Sequence, residues 1–475
     1  MRMPRHLTLR VAACLSAALL PSACTSDARA RTALSEYQAA AAANDLSGAR
    51  RALLELVRIK DDVPDYWVEL GKLQASMGNY NDAYYAFTRA YELDRSNVDV
   101  LRAVVQLAMR AGDFGMAKAH AEELEVLSPG DPWVKLTNGW SAFTQAHYAE
   151  ALDAANAILA NAPYDPSATV LKARALVAMN RENDAMDLLA KQLHAQPSDA
   201  SSRVMLAKIY LKQENWPKVV EVGTPLLSAT QNDQNSALMV IEAALRSDNA
   251  AAARQISLKV LTPGADPPFI ASILDLWGKY WPSAQRVQDT RALANRASGA
   301  AQKLVYASFL SRFGSPGDGV RLSAPYAGVP VNARNAEANA VIADAWSRAG
   351  NVGAAKSRFD AVIAFDPGNA TALRGRAEME LRNGDAAAAI VDAQKLVTVL
   401  PTSDQDRLLL ARCYAAAGKN DWATRTLWSA FQDIPGDYPI YAALLQVRKG
   451  DSEATRDLQE EFVRQRDATV FRGLL

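Results

Sequence analysis

The chain has 475 residues, 49% of them hydrophobic and 7% aromatic, enough to bury a core. Lys+Arg and Asp+Glu both number 52, which excludes a global basic field of the kind that drives nonspecific nucleic-acid binding. Abundant alanine and scarce β-branched runs argue against a strand-rich protein and favour helices.

Residues 1–23 read as a secretory signal. "MRMPRHLTLR" carries Arg2, Arg5 and Arg10 with no acid, and the apolar run "VAACLSAALL" is too short for a stable transmembrane helix. "LLPSAC" is similar to a bacterial lipobox, with Ser22 and Ala23 ahead of a cysteine, although Pro21 stands where an aliphatic residue is usual. The resemblance implies lipidation at Cys24, and Thr25 after it implies delivery to the outer membrane. The alternative is ordinary cleavage at "ARA", Ala28 to Ala30, which leaves a soluble periplasmic protein. Residues 24–29 read as a short linker. Cys14 leaves with the signal, and Cys413 stands alone in the rest of the chain as a buried small hydrophobe. There is no disulfide framework and no CxxC metal knuckle.

From residue 30 onward one period organises the sequence. Stepping by 34 from Ala83 meets Ala49, Ala117, Ala151, Ala185 and Ala253, with Val219 the exception, and alanine recurs in the same phase at Ala355, Ala389 and Ala423. Pro129, Pro163 and Pro197 keep the same step, as do Pro367, Pro401 and Pro435; 170 residues, five periods, separate Pro197 from Pro367. Each period predicts two helices. In the first, Trp67, Leu70, Gly71 and Leu73 stand at helical spacing, and a Gly78-Asn79 turn suits a C-cap that needs positive φ. Ala83, Phe87 and Ala90 mark the second helix, and a loop with proline closes the unit. The recurrent alanine marks the crossing of the two helices.

Trp67, Leu70-Gly71, Tyr80, Ala83, Phe87 and Ala90 resemble the tetratricopeptide repeat, best over 64–97, where Arg95 replaces the usual proline. The resemblance implies an all-α fold, a right-handed α-solenoid of about twelve stacked hairpins with a C-terminal capping helix. Seven units are expected over 30–267 and three over 336–437. Between them, 268–335 spans two periods, with "LWGKYWPSAQ" and a loop at "GSPGDG", and reads as two degenerate units or a hinge. Residues 438–475 begin another unit and end in a charged capping helix.

No catalytic or cofactor motif stands out. His6 lies in the signal, and His120, His147 and His194 are expected as isolated surface residues without a metal pair. No P-loop, dinucleotide fingerprint or GxSxG is present, so neither an enzyme nor a bound cofactor is expected. Repeats of the resembled family meet ligands mainly at places 2, 5, 9, 12 and 13 of a unit. In the unit starting at 132 these include Trp133, Leu136, Trp140 and Phe143. Lys72, Arg102 and Arg110 flank them on one side, and Arg174, Lys208 and Lys212 on the other. This set predicts a groove for an extended peptide with apolar anchors and acidic neighbours. The competing reading is that Trp140 and Phe143 pack between helices. If Trp140 proves to be neither core nor needed for partner capture, 268–335 is the next place to seek a contact surface. The family's two-carboxylate clamp needs Asn at the ninth place, which here holds Lys72, Gln106, Trp140 and Arg174, so that ligand is not expected.

The resemblance and the signal together imply a non-enzymatic interaction scaffold, lipid-anchored at Cys24 on the periplasmic face of the outer membrane. Its partners are expected to be proteins of a pilus, secretion or exopolysaccharide export machine. The rival is a soluble periplasmic carrier or carbohydrate-binding array.

Overall fold

The structure, a computed structural model, describes residues 20–229, 233–447 and 452–472. Residues 1–19 of the expected signal and the side chain of Cys24 lie outside the described residues. The chain forms two compact units, Met1–Pro197 and Ser198–Leu475.

The first unit pairs α1 (Leu20–Ala42) with α2 (Leu46–Ile59), α3 (Pro64–Ser76) with α4 (Tyr80–Leu93), and α5 (Val98–Arg110) with α6 (Phe114–Leu127). The pairs α7 (Pro132–Thr144) with α8 (Tyr148–Leu159) and α9 (Pro166–Ala178) with α10 (Glu182–Ala195) complete it. Local chemistry sets the boundaries. Asp131 and Asp165 cap α7 and α9 by accepting from Trp133 N–H and Ala168 N–H, and a proline follows each at the first helical position. After each first helix the backbone turns left-handed. Gly78 does so at φ 79°, and Ala146 is forced into the same region at φ 62°. Inside the hairpin, Gly71 lets the Phe87 ring close on α3; a Cβ there would sit 2.9 Å from it. Ala83, Ala117, Ala151 and Ala185 are fully buried at the crossings.

One boundary differs from expectation. Residues 24–29, read as a linker, are part of α1. The cause is packing: Ala30 and Ala33 are buried, and Arg29–Glu55 (2.7 Å) and Lys60–Asp27 (2.6 Å) tie α1 to α2.

The second unit begins with α11 (Ala200–Lys212), α12 (Trp216–Gly223) and the short α13 (Leu226–Ala229), a break set by Pro225. Next come α14 (Gln234–Arg246) with α15 (Ala250–Val260), α16 (Pro267–Tyr280) with α17 (Ala284–Arg296), and α18 (Ala300–Phe313) with α19 (Pro316–Ser323). The pairs α20 (Ala336–Arg348) with α21 (Val352–Phe365), α22 (Ala370–Arg382) with α23 (Ala386–Val399), and α24 (Asp404–Ala416) with α25 (Asn420–Asp433) follow. The unit ends in α26 (Tyr438–Val447) and α27 (Ser452–Arg472).

Residues 268–335 are thus largely two helical hairpins. Trp277 and Trp281 are buried edge to face at 5.0 Å, and Trp277 donates to Ser257 Oγ at 3.1 Å. "GSPGDG" is only partly a loop, because Pro316 opens α19. A non-helical stretch, 327–335, is pinned by Asn339, which donates to the Gly328 carbonyl at 3.0 Å. At the far end α27 buries Leu458 and Phe462, with Phe462 stacked on Tyr441 at 4.2 Å. The same helix touches α11, so the last helix of this unit meets its first.

Candidate functional site

On α7, Trp133 and Trp140 are half-buried. Trp140 stacks on Phe114 (5.9 Å, 18°), meets Phe143 edge-on (5.8 Å, 77°) and carries the Arg174 guanidinium 4.9 Å over its ring. Burial pulls Arg174 down to about 10. Leu136 and Phe143, expected on the floor of a groove, are instead interior. They are 5% and 3% exposed and pack with Ala151, Ala155 and Leu171. Gly139 permits this closure: a Cβ there would lie 2.6 Å from Leu171 Cδ2.

The expected cationic flanks are engaged too. Lys72 pairs with Glu69 at 2.8 Å, and Arg102 with the buried Asp131 at 2.8 Å and Asp99 at 2.6 Å. Arg110 covers the Tyr80 ring at 3.8 Å. Lys208 and Lys212 are half-buried on α11, in the second unit. His120, expected at the surface, has a side chain only 13% exposed, and burial holds its pKa below the ordinary value. Cys413 is fully buried, which pushes its thiol up to about 11.

The second unit holds a cavity of about 900 Å³. Its helical wall comes from the first helices of consecutive hairpins: α16, α18, α20, α22, α24 and α26. Counted from each helix's own first residue, Ala271, Asp275, Gly278 and Lys279 occupy places 5, 9, 12 and 13 of α16. Ala301, Leu304, Ser308 and Arg312 occupy places 2, 5, 9 and 13 of α18. Glu337, Thr371, Gln405 and Pro439 take place 2 in the later hairpins. These are the places where ligand contact was expected, on other helices. The strict 34-residue count hides them because α16 and α18 start one and two residues early, at 267 and 300 instead of 268 and 302. A visible signal was Asp266-Pro267, which repeats the Asp-Pro start of α7 and α9.

The lining is apolar at Leu304, Phe309, Phe313 and Leu408 and charged at Asp275, Lys279, Arg312, Arg334, Glu337 and Asp404. Lys279 on α16 bridges Asp275 at 3.1 Å and Asp404 of α24 at 3.0 Å. Burial alone would lower Lys279, but the two carboxylates override it and hold the ammonium above its ordinary pKa. Near this cluster, burial first and then Asp404 and Asp275 raise the Asp437 carboxyl to about 6. A second depression of about 650 Å³ shares Asp275 and Asp404. Opposed first helices therefore touch across the inner face of the unit.

A ladder of cations runs along these helices. Place 13 is basic in six successive first helices: Lys212, Arg246, Lys279, Arg312, Arg348 and Arg382. A cation in the last turn suits the helix dipole, and an acid four residues earlier suits the cation. Glu242, Asp275, Asp344 and Glu378 supply that acid, at 3.5, 3.1, 2.9 and 3.7 Å. On α18 the ninth place is Ser308. Arg312 reaches Glu378 of α22 at 3.6 Å instead, and the Gln405 amide oxygen, turned toward it, accepts from both guanidinium N–H groups at 2.8 and 2.9 Å.

Among the described residues no cluster of three or more His, Cys, Asp or Glu is placed to hold a metal, and no helix is long and apolar enough to cross a membrane.

The hairpins, their 34-residue phase and their small crossing residues define an α-solenoid. Residues 134–270 match the family model described as Psidin, N-terminal TPR repeats region, and 341–403 match a tetratricopeptide repeat model. The chain carries tetratricopeptide repeats, a type that serves as a protein–protein interaction scaffold. No curated protein matches it. Among solved structures it is similar to a tetratricopeptide repeat protein from Parabacteroides merdae, at 15% identity and TM-score 0.41, covering 52% of this chain and 98% of that one. It is also similar to Pseudomonas aeruginosa PilF, at 18% identity and TM-score 0.32, covering 43% and 94%. The complex of Naa15/Naa10 bound to HypK-THB aligns over 95% of this chain and 80% of that chain, at 12% identity and TM-score 0.26. At these scores the likeness carries no functional argument.

Proposed function

We propose that the protein is a non-enzymatic scaffold of the bacterial cell envelope that holds a partner through the inner cavity of its second unit. The observation that carries this reading is the cavity of about 900 Å³, to which six consecutive hairpins each contribute from the first helix. Its volume is within the range of pockets that enclose a ligand, and its lining combines apolar side chains with a few charged groups. A chain segment laid along it would touch several repeats at once. The envelope setting rests on the sequence: the basic and apolar start and the lipobox-like "LLPSAC" support a lipid anchor at Cys24 on the periplasmic face of the outer membrane. In that setting the scaffold serves assembly of a pilus, secretion or exopolysaccharide export machine.

Site-specific photo-crosslinking in cells tests the reading. A photoreactive residue at Ala301, exposed on the cavity wall, is expected to trap a discrete protein partner. The same residue at Val391, 64% exposed on the second helix of its hairpin, is expected to trap none. Trapping at Val391 and not at Ala301 would contradict the proposal.

A further inference from the structure

We propose that the cavity selects a peptide segment bearing a carboxylate beside an apolar side chain, with the carboxylate seated on Arg312 and Arg334. This rests on the reading of the cavity as the partner site. It follows from the one rung of the cation ladder within the cavity wall that lacks its own acid. Lys279, the preceding rung, is already held by Asp275 and Asp404. Arg312 has Ser308 where its acid should be, and the carboxylate it reaches, Glu378, also takes Arg348 at 2.6 Å and Arg382 at 3.7 Å. Three guanidiniums thus share Glu378, with Asp344 engaged by Arg348 alone among them. The closest partner of Arg312 is neutral, the Gln405 amide.

Arg334 lines the same cavity, is exposed, and makes no ion pair among the described residues. Glu337, on the same wall, is turned to Thr371 Oγ1 at 2.7 Å. The cavity lining therefore includes two incompletely neutralised forks, Arg312 and Arg334. An incoming carboxylate that replaces the Gln405 oxygen would exchange an ion–dipole hydrogen bond for a bidentate ion pair, which adds charge attraction and fixed geometry. Leu304, Phe309, Phe313 and Leu408, which line the same cavity, take an apolar neighbour.

The probe is a phage-displayed library of random peptides panned on the full chain, followed by titration of the recovered peptides made synthetically. We expect the recovered sequences to place Asp or Glu beside Leu, Ile or Phe. We expect Ala301→Trp, which fills the cavity from an exposed position, to abolish binding. Arg334→Gln should weaken binding roughly tenfold, as should Glu→Gln in the peptide, and the two changes together should cost no more than one alone. Arg312→Gln should act likewise, with its melt recorded because it also releases Glu378 and Gln405. Recovered peptides without acidic preference, or an affinity unmoved by Arg334→Gln, would overturn the carboxylate assignment while Ala301→Trp still blocks. No recovery above an uncoated surface, or peptides indifferent to Ala301→Trp, would overturn the cavity reading itself.

Discussion

Ala151 shows how a single small side chain fixes a hairpin. It is fully buried where α7 and α8 cross, and Glu150 beside it is exposed. Ala151→Trp is expected to cost about 1–3 kcal/mol through overpacking, whereas Glu150→Trp should leave the thermal melt nearly unchanged. Equal losses would mean that the crossing is elsewhere. Asp437 makes a second residue-scale test. Its carboxyl accepts from Ile440 N–H at 2.9 Å, yet burial and the nearby Asp404 and Asp275 raise its pKa to about 6. A carboxyl that binds its proton more tightly folded than unfolded contributes a stability that falls as pH rises from about 4 toward 6. Asp437→Asn keeps the cap without the charge. It is expected to raise the melting temperature at pH 7 to 8 and to change little at pH 4. A lower melting temperature at pH 7 would contradict the sign.

At the scale of elements, the helical hairpins were legible because their signals are local. Asp-Pro starts, left-handed turns after the first helix and alanine at the crossing recur in phase, and each has a direct backbone or packing cause. The partner surface was less legible. Trp140 and Phe143 satisfy the spacing of ligand-facing residues, but spacing does not report how closely the next hairpin approaches. Gly139 and Ala151 let the neighbouring helices cover Phe143 and Leu136. The cavity lining escaped the periodic count for the opposite reason: α16 and α18 start early, and the stretch 324–335 restores the phase before α20. The N-terminal element carries its own test. If Cys24 is the lipidated residue, Cys24→Ser should abolish fatty-acid labelling and move the protein from the membrane to the soluble periplasmic fraction. A mature chain beginning at Arg31 would favour ordinary cleavage at Ala28–Ala30.

At the scale of the whole molecule, the chain divides into two units of like hairpins with different inner faces. In the first, the aromatic residues of α7 stack on their own neighbours and the flanking cations are engaged by acids or rings. In the second, α27 meets α11, Lys279 joins α16 to α24, and the first helices line a cavity of mixed apolar and charged residues. The central claim is that the partner lies in this second inner face. A hydrogen-exchange map of the full chain, recorded with and without the partner trapped at Ala301, tests it most directly. Added protection is expected on α16, α18 and α24, with α7 and α9 unchanged. Protection confined to α7 and α9 would contradict the account.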